Sequence, residues 1–74
     1  MQPLEAAVRE VLAASAVRCE LSVEPTKHGH VVVASRDQHW VAFPLHTGDL
    51  ANARLGRWIA QRVVEAFSGA VLHV

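Results

Sequence analysis

The sequence predicts an α+β domain in which a helix, a three-stranded antiparallel sheet and a second helix follow one another. Apolar residues recur at helical spacing near the start of the chain and again in its second half. The middle instead alternates apolar with polar residues or runs in β-branched residues, which is typical of strands. Short polar turns separate these middle segments, and such turns imply antiparallel hairpins. With 74 residues, we expect residues 1–74 to form one domain.

The first helix begins at Pro3, because proline suits the first helical turn. Its apolar positions are Leu4, Ala7, Val8, Val11 and Leu12. We expect it to end near residues 14–16. Residues 17–23 then alternate in polarity, which predicts the first strand, and we expect Pro25 to end that strand because proline has no backbone N–H. Residues 26–29 form the following turn.

The second strand is predicted over residues 30–34, which are mostly β-branched. Residues 35–38 form a polar turn, and residues 39–43 form the third strand. Trp40 on this strand is interpreted as core or sheet-face packing. Pro44 is expected to close the sheet.

The second helix is predicted over residues 50–67, with Asp49 as its N-cap and Gly69 as its C-terminal cap. One side of this helix is apolar: Leu55, Gly56, Ile59, Ala60, Val63, Ala66 and Phe67. Both helices are expected to pack on the sheet. Residues 70–74 are a candidate fourth strand, which needs an edge of its own sheet or of a partner's sheet.

The composition excludes several classes of protein. No apolar stretch approaches the roughly 20 residues of a membrane span, and the start lacks a signal-peptide pattern, so we expect a cytoplasmic protein. A single cysteine, Cys19, allows no internal disulfide and is interpreted as a small core residue. Apolar residues make up 51% of the chain, which indicates either a well-filled core or a surface buried against a partner.

Charge is unevenly distributed, although the formal net charge is zero. Residues 1–24 carry four Glu and two Arg, a net of −2, whereas residues 25–64 carry one Lys, four Arg and two Asp, a net of +3. This basic bias is mild and does not by itself indicate nucleic-acid binding. Histidine is unusually frequent for so short a chain: His28, His30, His39, His46 and His73.

Two segments carry a family resemblance. Residues 25–30, Pro-Thr-Lys-His-Gly-His, form a basic turn before a strand that opens with histidine. Residues 41–50, Val-Ala-Phe-Pro-Leu-His-Thr-Gly-Asp-Leu, are followed by Leu55, Ile59 and Gln61. This half of the chain resembles the HicA family of small bacterial and phage toxins, the messenger-RNA-cleaving halves of HicA–HicB toxin–antitoxin pairs. The resemblance implies the double-stranded-RNA-binding-domain fold.

The resemblance also implies a site and a partner. The family's catalytic histidine falls on His30 and its basic turn residue on Lys27, and a HicB-like antitoxin is the expected partner. This chain departs from the family pattern in two ways. The family's turn has an extra small residue between its glycine and its histidine, whereas here Gly29 precedes His30 directly. HicA toxins are also usually basic, whereas the net charge of this chain is zero.

The residues themselves suit such chemistry. A neutral imidazole can take the proton from a ribose 2′-hydroxyl, and a nearby cation can offset charge on the phosphate. His30 and Lys27 supply both groups if the imidazole is exposed at the hairpin, and Gly29 allows close approach of a phosphate. The alternative is that His30 is an ordinary surface strand residue. His28 and His30 lie two residues apart, but a zinc site needs further ligands, so we expect neither a metal nor a cofactor.

Trp58 stands out in the second helix, between Arg54 and Arg62. An exposed tryptophan flanked by arginines stacks on bases or fills a partner's pocket, so Arg54, Arg57 and Trp58 join Lys27 and Gly29 as candidate RNA-binding residues. Alternatively, the Trp58 ring packs over a sheet edge beneath the arginine stems. His46 is interpreted as a turn or capping residue, with contact to a substrate as the lesser alternative. His39 and His73 are interpreted as surface residues.

The sequence therefore predicts a HicA-like protein that binds RNA and cleaves it without metal. Two alternatives stay open. One is a non-catalytic interaction module, acting as a homodimer that pairs residues 70–74 across subunits or bound to a protein partner. The other, ranked last, is an RNA- or DNA-binding domain without cleavage.

Overall fold

The structure is a computed structural model, and it describes residues 1–68. The predicted cap at Gly69, the candidate strand at residues 70–74 and His73 lie outside the described residues. The elements follow the predicted order of helix, three strands and helix: α1 (Pro3–Ala14), β1 (Glu20–Thr26), β2 (Gly29–Arg36), β3 (His39–Leu45), a short 3₁₀ helix (Thr47–Ala51) and α2 (Ala53–Ser68). The predicted α+β class is confirmed.

The three strands form one antiparallel sheet in the order β1-β2-β3. Two-residue turns at residues 27–28 and 37–38 join them. Asp37 has a φ of 56°, a left-handed conformation that a short polar side chain tolerates. Because such tight turns fix the register, Val32 lies opposite both Val23 and Phe43.

The prediction that Pro25 and Pro44 end their strands is wrong. Both prolines lie inside a strand, with Pro25 opposite His30 and Pro44 opposite Val31. The reason is that β1 and β3 are the two edge strands, where the N–H that proline lacks is not needed for pairing if it faces outward. As a consequence, β3 continues to Leu45.

The predicted N-cap of the second helix is also wrong. Asp49 lies in the 3₁₀ helix, where its carboxylate accepts a hydrogen bond from the backbone N–H of His46 at 2.9 Å. The cap of α2 is Asn52, whose side-chain oxygen accepts from the Leu55 N–H at 3.0 Å. Leu50 is buried in the core, so the chain makes an extra turn there before α2 begins.

Both helices pack on one face of the sheet, as predicted. The buried core consists of Leu4, Val8, Leu12, Val32, Ala34, Leu45, Leu50, Ile59, Ala60 and Val63. The apolar stripe predicted for α2 is confirmed except at Ala66, which is exposed. Since alternate strand residues face opposite sides, β2 contributes Val32 and Ala34 to this layer, and both are 0% exposed.

Among residues 1–68, no helix covers the opposite face of the sheet. Val41 and Phe43 pack against the core, so the alternation of β3 directs Trp40 to the other side, where it is 68% exposed. Of the two interpretations of Trp40, the core position is therefore wrong. We call this surface the open sheet face, and its apolar residues are Val31, Val33, Trp40, Ala42 and Pro44.

None of the helices described within residues 1–68 is long and apolar enough to cross a membrane.

Gly56 sets the distance between the helices. A Cβ built at Gly56 would overlap the backbone carbonyl oxygen of Leu4 and lie 3.0 Å from the Ala7 Cβ. A Gly→Ala change in a helix normally stabilises it by up to about 1 kcal/mol. Here we expect Gly56→Ala to lower the free energy of unfolding by about 1–3 kcal/mol, because the helices must move apart.

Urea denaturation measures this change. The matched control is Gly48→Ala, because a Cβ at Gly48 would have no neighbour within 4 Å, and its effect should stay within about 0.5 kcal/mol. If Gly56→Ala were as stable as the wild type, the helix contact would not be close-packed.

Candidate functional site

Three histidines meet at one end of the sheet. His28 lies in the turn before β2, His30 lies near the start of β2, and His46 directly follows β3. The β2–β3 pairing places His30 opposite Leu45, which brings His46 beside the start of β2. The three side chains line one cavity of about 510 Å³, which we call the histidine cavity.

The walls of the histidine cavity are largely apolar. They include Leu45, which is buried, and Val31 and Pro44 from neighbouring positions of β2 and β3. Of the histidines, His28 and His46 are exposed and His30 is half-buried. The polar groups of this apolar depression are therefore mainly imidazoles, which can both donate and accept hydrogen bonds.

Gly29 brings the backbone segments around the histidine cavity together. Its φ is +153°, and a Cβ at this position would overlap the Leu45 carbonyl oxygen and approach the His46 Cα to 3.0 Å. A side chain here would push β2 away from the segment that carries His46. Glycine is therefore required at this position by the packing of the chain itself. Contact between Gly29 and RNA stays a prediction.

The imidazole of His30 faces the helix layer. It lies on the same side of β2 as Val32 and Ala34, which explains why the ring is half-buried rather than exposed as the catalytic prediction required. Its Nδ1 atom is buried and has no hydrogen-bond partner within residues 1–68. The nitrogen through which His30 can act on a ligand is therefore Nε2.

Lys27 lies in the same turn as His28 and is exposed. It is not one of the residues that line the histidine cavity. Within the described part of the chain it forms no ion pair. Lys27 is therefore an unpaired positive charge on a flexible stem, in the turn that carries His28.

The candidate arginines Arg54 and Arg57 are in the first turns of α2, and the direction of this helix shows toward which end of the sheet they lie. Trp58 contacts Phe43 near the end of β3, whereas the Phe67 carbonyl accepts a hydrogen bond from Arg36, at the far end of β2, at 3.4 Å. α2 therefore runs opposite to β3, and its first turns lie toward the histidine cavity. Arg54 and Arg57 in these turns are exposed, and neither forms an ion pair within residues 1–68.

The Trp58 ring packs over the edge of the sheet at β3, which is the second of the two arrangements expected from the sequence. Its ring meets the Phe43 ring edge-on, with 6.2 Å between the centroids and an interplanar angle of 81°. The Arg62 guanidinium lies 5.6 Å from the Trp58 ring centroid and also pairs with Glu65 at 2.8 Å. The ring is still 53% exposed, so part of its surface is available to a ligand.

Within residues 1–68, no three His, Cys, Asp or Glu side chains are close enough together to hold a metal ion. The three histidines share the cavity without forming a ligand set.

His46 is the N-cap residue of the 3₁₀ helix, so its interpretation as a turn or capping residue is confirmed. The sequence offered substrate contact only as the lesser alternative and did not predict that His46 shares a cavity with His28 and His30. The available signal was the two-residue turn at residues 37–38, which alone fixes the pairing of residue 30 with residue 45.

Comparison with protein-family models, with curated proteins and with solved structures found no match for this chain.

Cys19 lies outside the histidine cavity, directly before β1, where it is half-buried and packs against the core rather than within it as predicted. Burial raises the pKa of the Cys19 thiol above its usual value, and the positive charges of Arg36 and Arg9 offset this only in part. The thiolate is the reactive form of cysteine, so this environment disfavours a nucleophilic role.

We expect Cys19 in the folded protein to react with iodoacetamide more slowly at pH 7.5 than it does in the same chain in urea. The raised pKa leaves less thiolate in the folded state, and the half-buried side chain is less accessible. For the same reason the folded state loses stability as the pH rises through this pKa, since the unfolded thiol ionises first. Mass spectrometry of timed samples measures the rates, and equal rates would contradict the burial of this thiol.

Proposed function

We propose that this chain is a HicA-like protein that binds RNA and cleaves it without metal at the histidine cavity, with His30 and Lys27 as its catalytic residues. The observation that supports the proposal is the convergence of three imidazoles on one open cavity. Exposed cations from the adjoining turn and from the first turns of α2 lie toward the same end. Neither the resemblance nor the cavity alone would carry the proposal, but both include His30, and Lys27 lies in the turn that also carries His28.

The chemistry needs only groups that this end of the sheet supplies. RNA cleavage begins when a base removes the 2′-hydroxyl proton and the oxygen attacks the adjacent phosphorus. Charge then builds on the phosphate, where a hydrogen-bond donor and a cation stabilise it. Imidazoles can serve as base and donor, and Lys27 is the nearby cation, so no cofactor is required.

The RNA-binding surface in this proposal extends from Lys27 and Gly29 to Arg54, Arg57 and Trp58. The unpaired arginines are available for phosphate oxygens, because no carboxylate within residues 1–68 neutralises them. The exposed part of the Trp58 ring can stack on a base.

The partner and the setting are also proposals. A HicB-like antitoxin would cover the histidine cavity and keep RNA out. Such a pair acts in the cytoplasm of a bacterium, where its messenger-RNA substrate is found. Both inferences depend on the motifs at residues 25–30 and 41–50.

The first test compares the wild type with His30→Ala in a bacterial host and with purified protein in EDTA. We expect induction of the wild type to slow growth and shorten transcripts, and the purified wild type to cleave RNA. His30→Ala should lower the cleavage rate by about 10²–10⁴-fold, the range for loss of a catalytic side chain that takes part in the reaction.

The matched control is His39→Ala, because His39 is an exposed histidine at the start of β3, away from the cavity. It should cleave at the wild-type rate. Equal growth and intact transcripts with wild type and His30→Ala would contradict the enzyme. RNA binding that weakens steeply with salt, without cleavage, would instead favour the binding domain.

A second candidate function is a non-catalytic homodimer, and the open sheet face is the observation that favours it. This face is apolar along β3 and at the centre of β2, and Trp40 on it is 68% exposed. A patch of this kind can meet the same patch of a second copy about a two-fold axis. Pairing of residues 70–74 across subunits, as predicted from the sequence, would extend such a contact.

The mass in solution tests this candidate. If the open sheet face forms the dimer, the full chain should have twice its monomer mass by light scattering, and Trp40→Ser should be monomeric. Trp58→Ser is the matched control, since it removes a half-exposed tryptophan from the helix side and should leave the dimer intact. A chain truncated at Gly69 shows whether the tail takes part. A monomeric wild type would remove this candidate.

A further inference from the structure

We propose that His30 acts as a neutral hydrogen-bond donor to a phosphate oxygen, through its Nε2–H, and that His46 is the base that accepts the 2′-hydroxyl proton. This assignment rests on the proposed function and divides its chemistry between two histidines. It also reverses the role that the motif resemblance implies for His30.

The Nδ1 atom of His30 is buried and has no hydrogen-bond partner within residues 1–68. A neutral imidazole carries its single proton on either Nδ1 or Nε2, and a charged imidazolium carries one on each. To act as a base through Nε2, His30 must hold its proton on Nδ1. To act as an acid, it must hold a proton on both nitrogens. Either role therefore needs an N–H at the buried, unpaired atom.

Among backbone groups, a buried N–H without a partner is rarer in proteins than a buried acceptor without one, and we apply the same preference to this ring nitrogen. The remaining form keeps the proton on Nε2 and leaves only a lone pair at Nδ1. In this form the ring is neutral, and its N–H points to the side from which a ligand can approach. His30 then offers the histidine cavity a donor, which suits a phosphate oxygen and does not suit proton abstraction.

His46 has the properties that His30 lacks. Its side chain is exposed at the cavity, so taking up a proton does not bury an unpaired N–H. Its main chain is held by two hydrogen bonds: its N–H donates to the Asp49 carboxylate, and its carbonyl accepts from the Asp49 N–H, each at 2.9 Å. His28 is also exposed, but it lies within the two-residue turn. The fixed backbone of His46 makes it the better-positioned base.

The 2′-hydroxyl proton passes to a ring nitrogen of His46, the 2′-oxygen bonds to phosphorus, and the bond from phosphorus to the 5′-oxygen breaks. Water supplies the proton that the leaving 5′-oxygen takes up, and the hydroxide left behind takes the proton from His46, which regenerates the base. The His30 Nε2–H stays on its ring and donates to a non-bridging oxygen throughout.

The first part of the test does not require the protein to cleave RNA. Long-range ¹H–¹⁵N spectra of the uniformly labelled full chain, without RNA, distinguish a protonated ring nitrogen from one with a lone pair. We expect His30 to show a proton on Nε2 and none on Nδ1, whereas exposed His39 shows a tautomer mixture. A proton on Nδ1 of His30 would overturn the assignment.

The second part measures single-turnover cleavage of a short RNA. His30→Gln keeps a side-chain N–H donor but has no imidazole, so it should cleave within about tenfold of the wild type and faster than His30→Ala. His46→Gln removes the base and should lose about 10²–10⁴-fold in rate while it still binds the RNA. Both variants should show wild-type thermal melting.

The outcomes separate the two proposals. If His30→Gln is as inactive as His30→Ala while His46→Gln stays active, His30 is the base and this inference is wrong. If the wild type cleaves no RNA, the proposed function and the role of His46 both fall, and the His30 spectrum still decides the donor form. Equal activity of all four proteins would show that neither histidine takes part.

Discussion

The packing of both helices on a single face of a three-stranded sheet is the constraint on which the rest of the structure depends. Gly56 lets α2 approach the backbone of α1 closely, and the two helices together close over Val32 at the centre of the sheet. A chain of this length has little apolar surface to spare, so one filled layer is the core that it can build. The orientation of every strand residue follows from that one-sided burial.

The same orientation of the strand residues produces both the histidine cavity and the open sheet face. On β2 it directs His30 toward the helix layer, at the end of the sheet where the core gives way to an open cavity. On β3 it directs Trp40 to the opposite side, where no described helix covers it. The half-buried histidine and the exposed tryptophan are thus two consequences of the same alternation.

Charge contributes to the location of the candidate site more than to the stability of the fold. The two ion pairs among residues 1–68, Arg9–Glu5 and Arg62–Glu65, are on the surface, where such pairs contribute about 0–1 kcal/mol. Lys27, Arg54 and Arg57 have no acidic partner among the same residues. A chain with zero net charge can therefore still present unpaired cations toward one end of the sheet, which suits an anionic ligand.

The sequence by itself determined the order of the elements and most of the core, because the periodicity of apolar residues is a local property of helices and strands. It failed at Pro25, Pro44 and Asp49, where the outcome depends on which strands are edges and on the burial of Leu50. Only the tertiary structure decided that His46 joins His30 and that Nδ1 of His30 is buried. The HicA-like function stays a proposal, motivated by the motifs at residues 25–30 and 41–50 and by the histidine cavity. The physical reason for this division is that strand register and helix packing join residues far apart in the chain, and it is these contacts that set the environment of each imidazole.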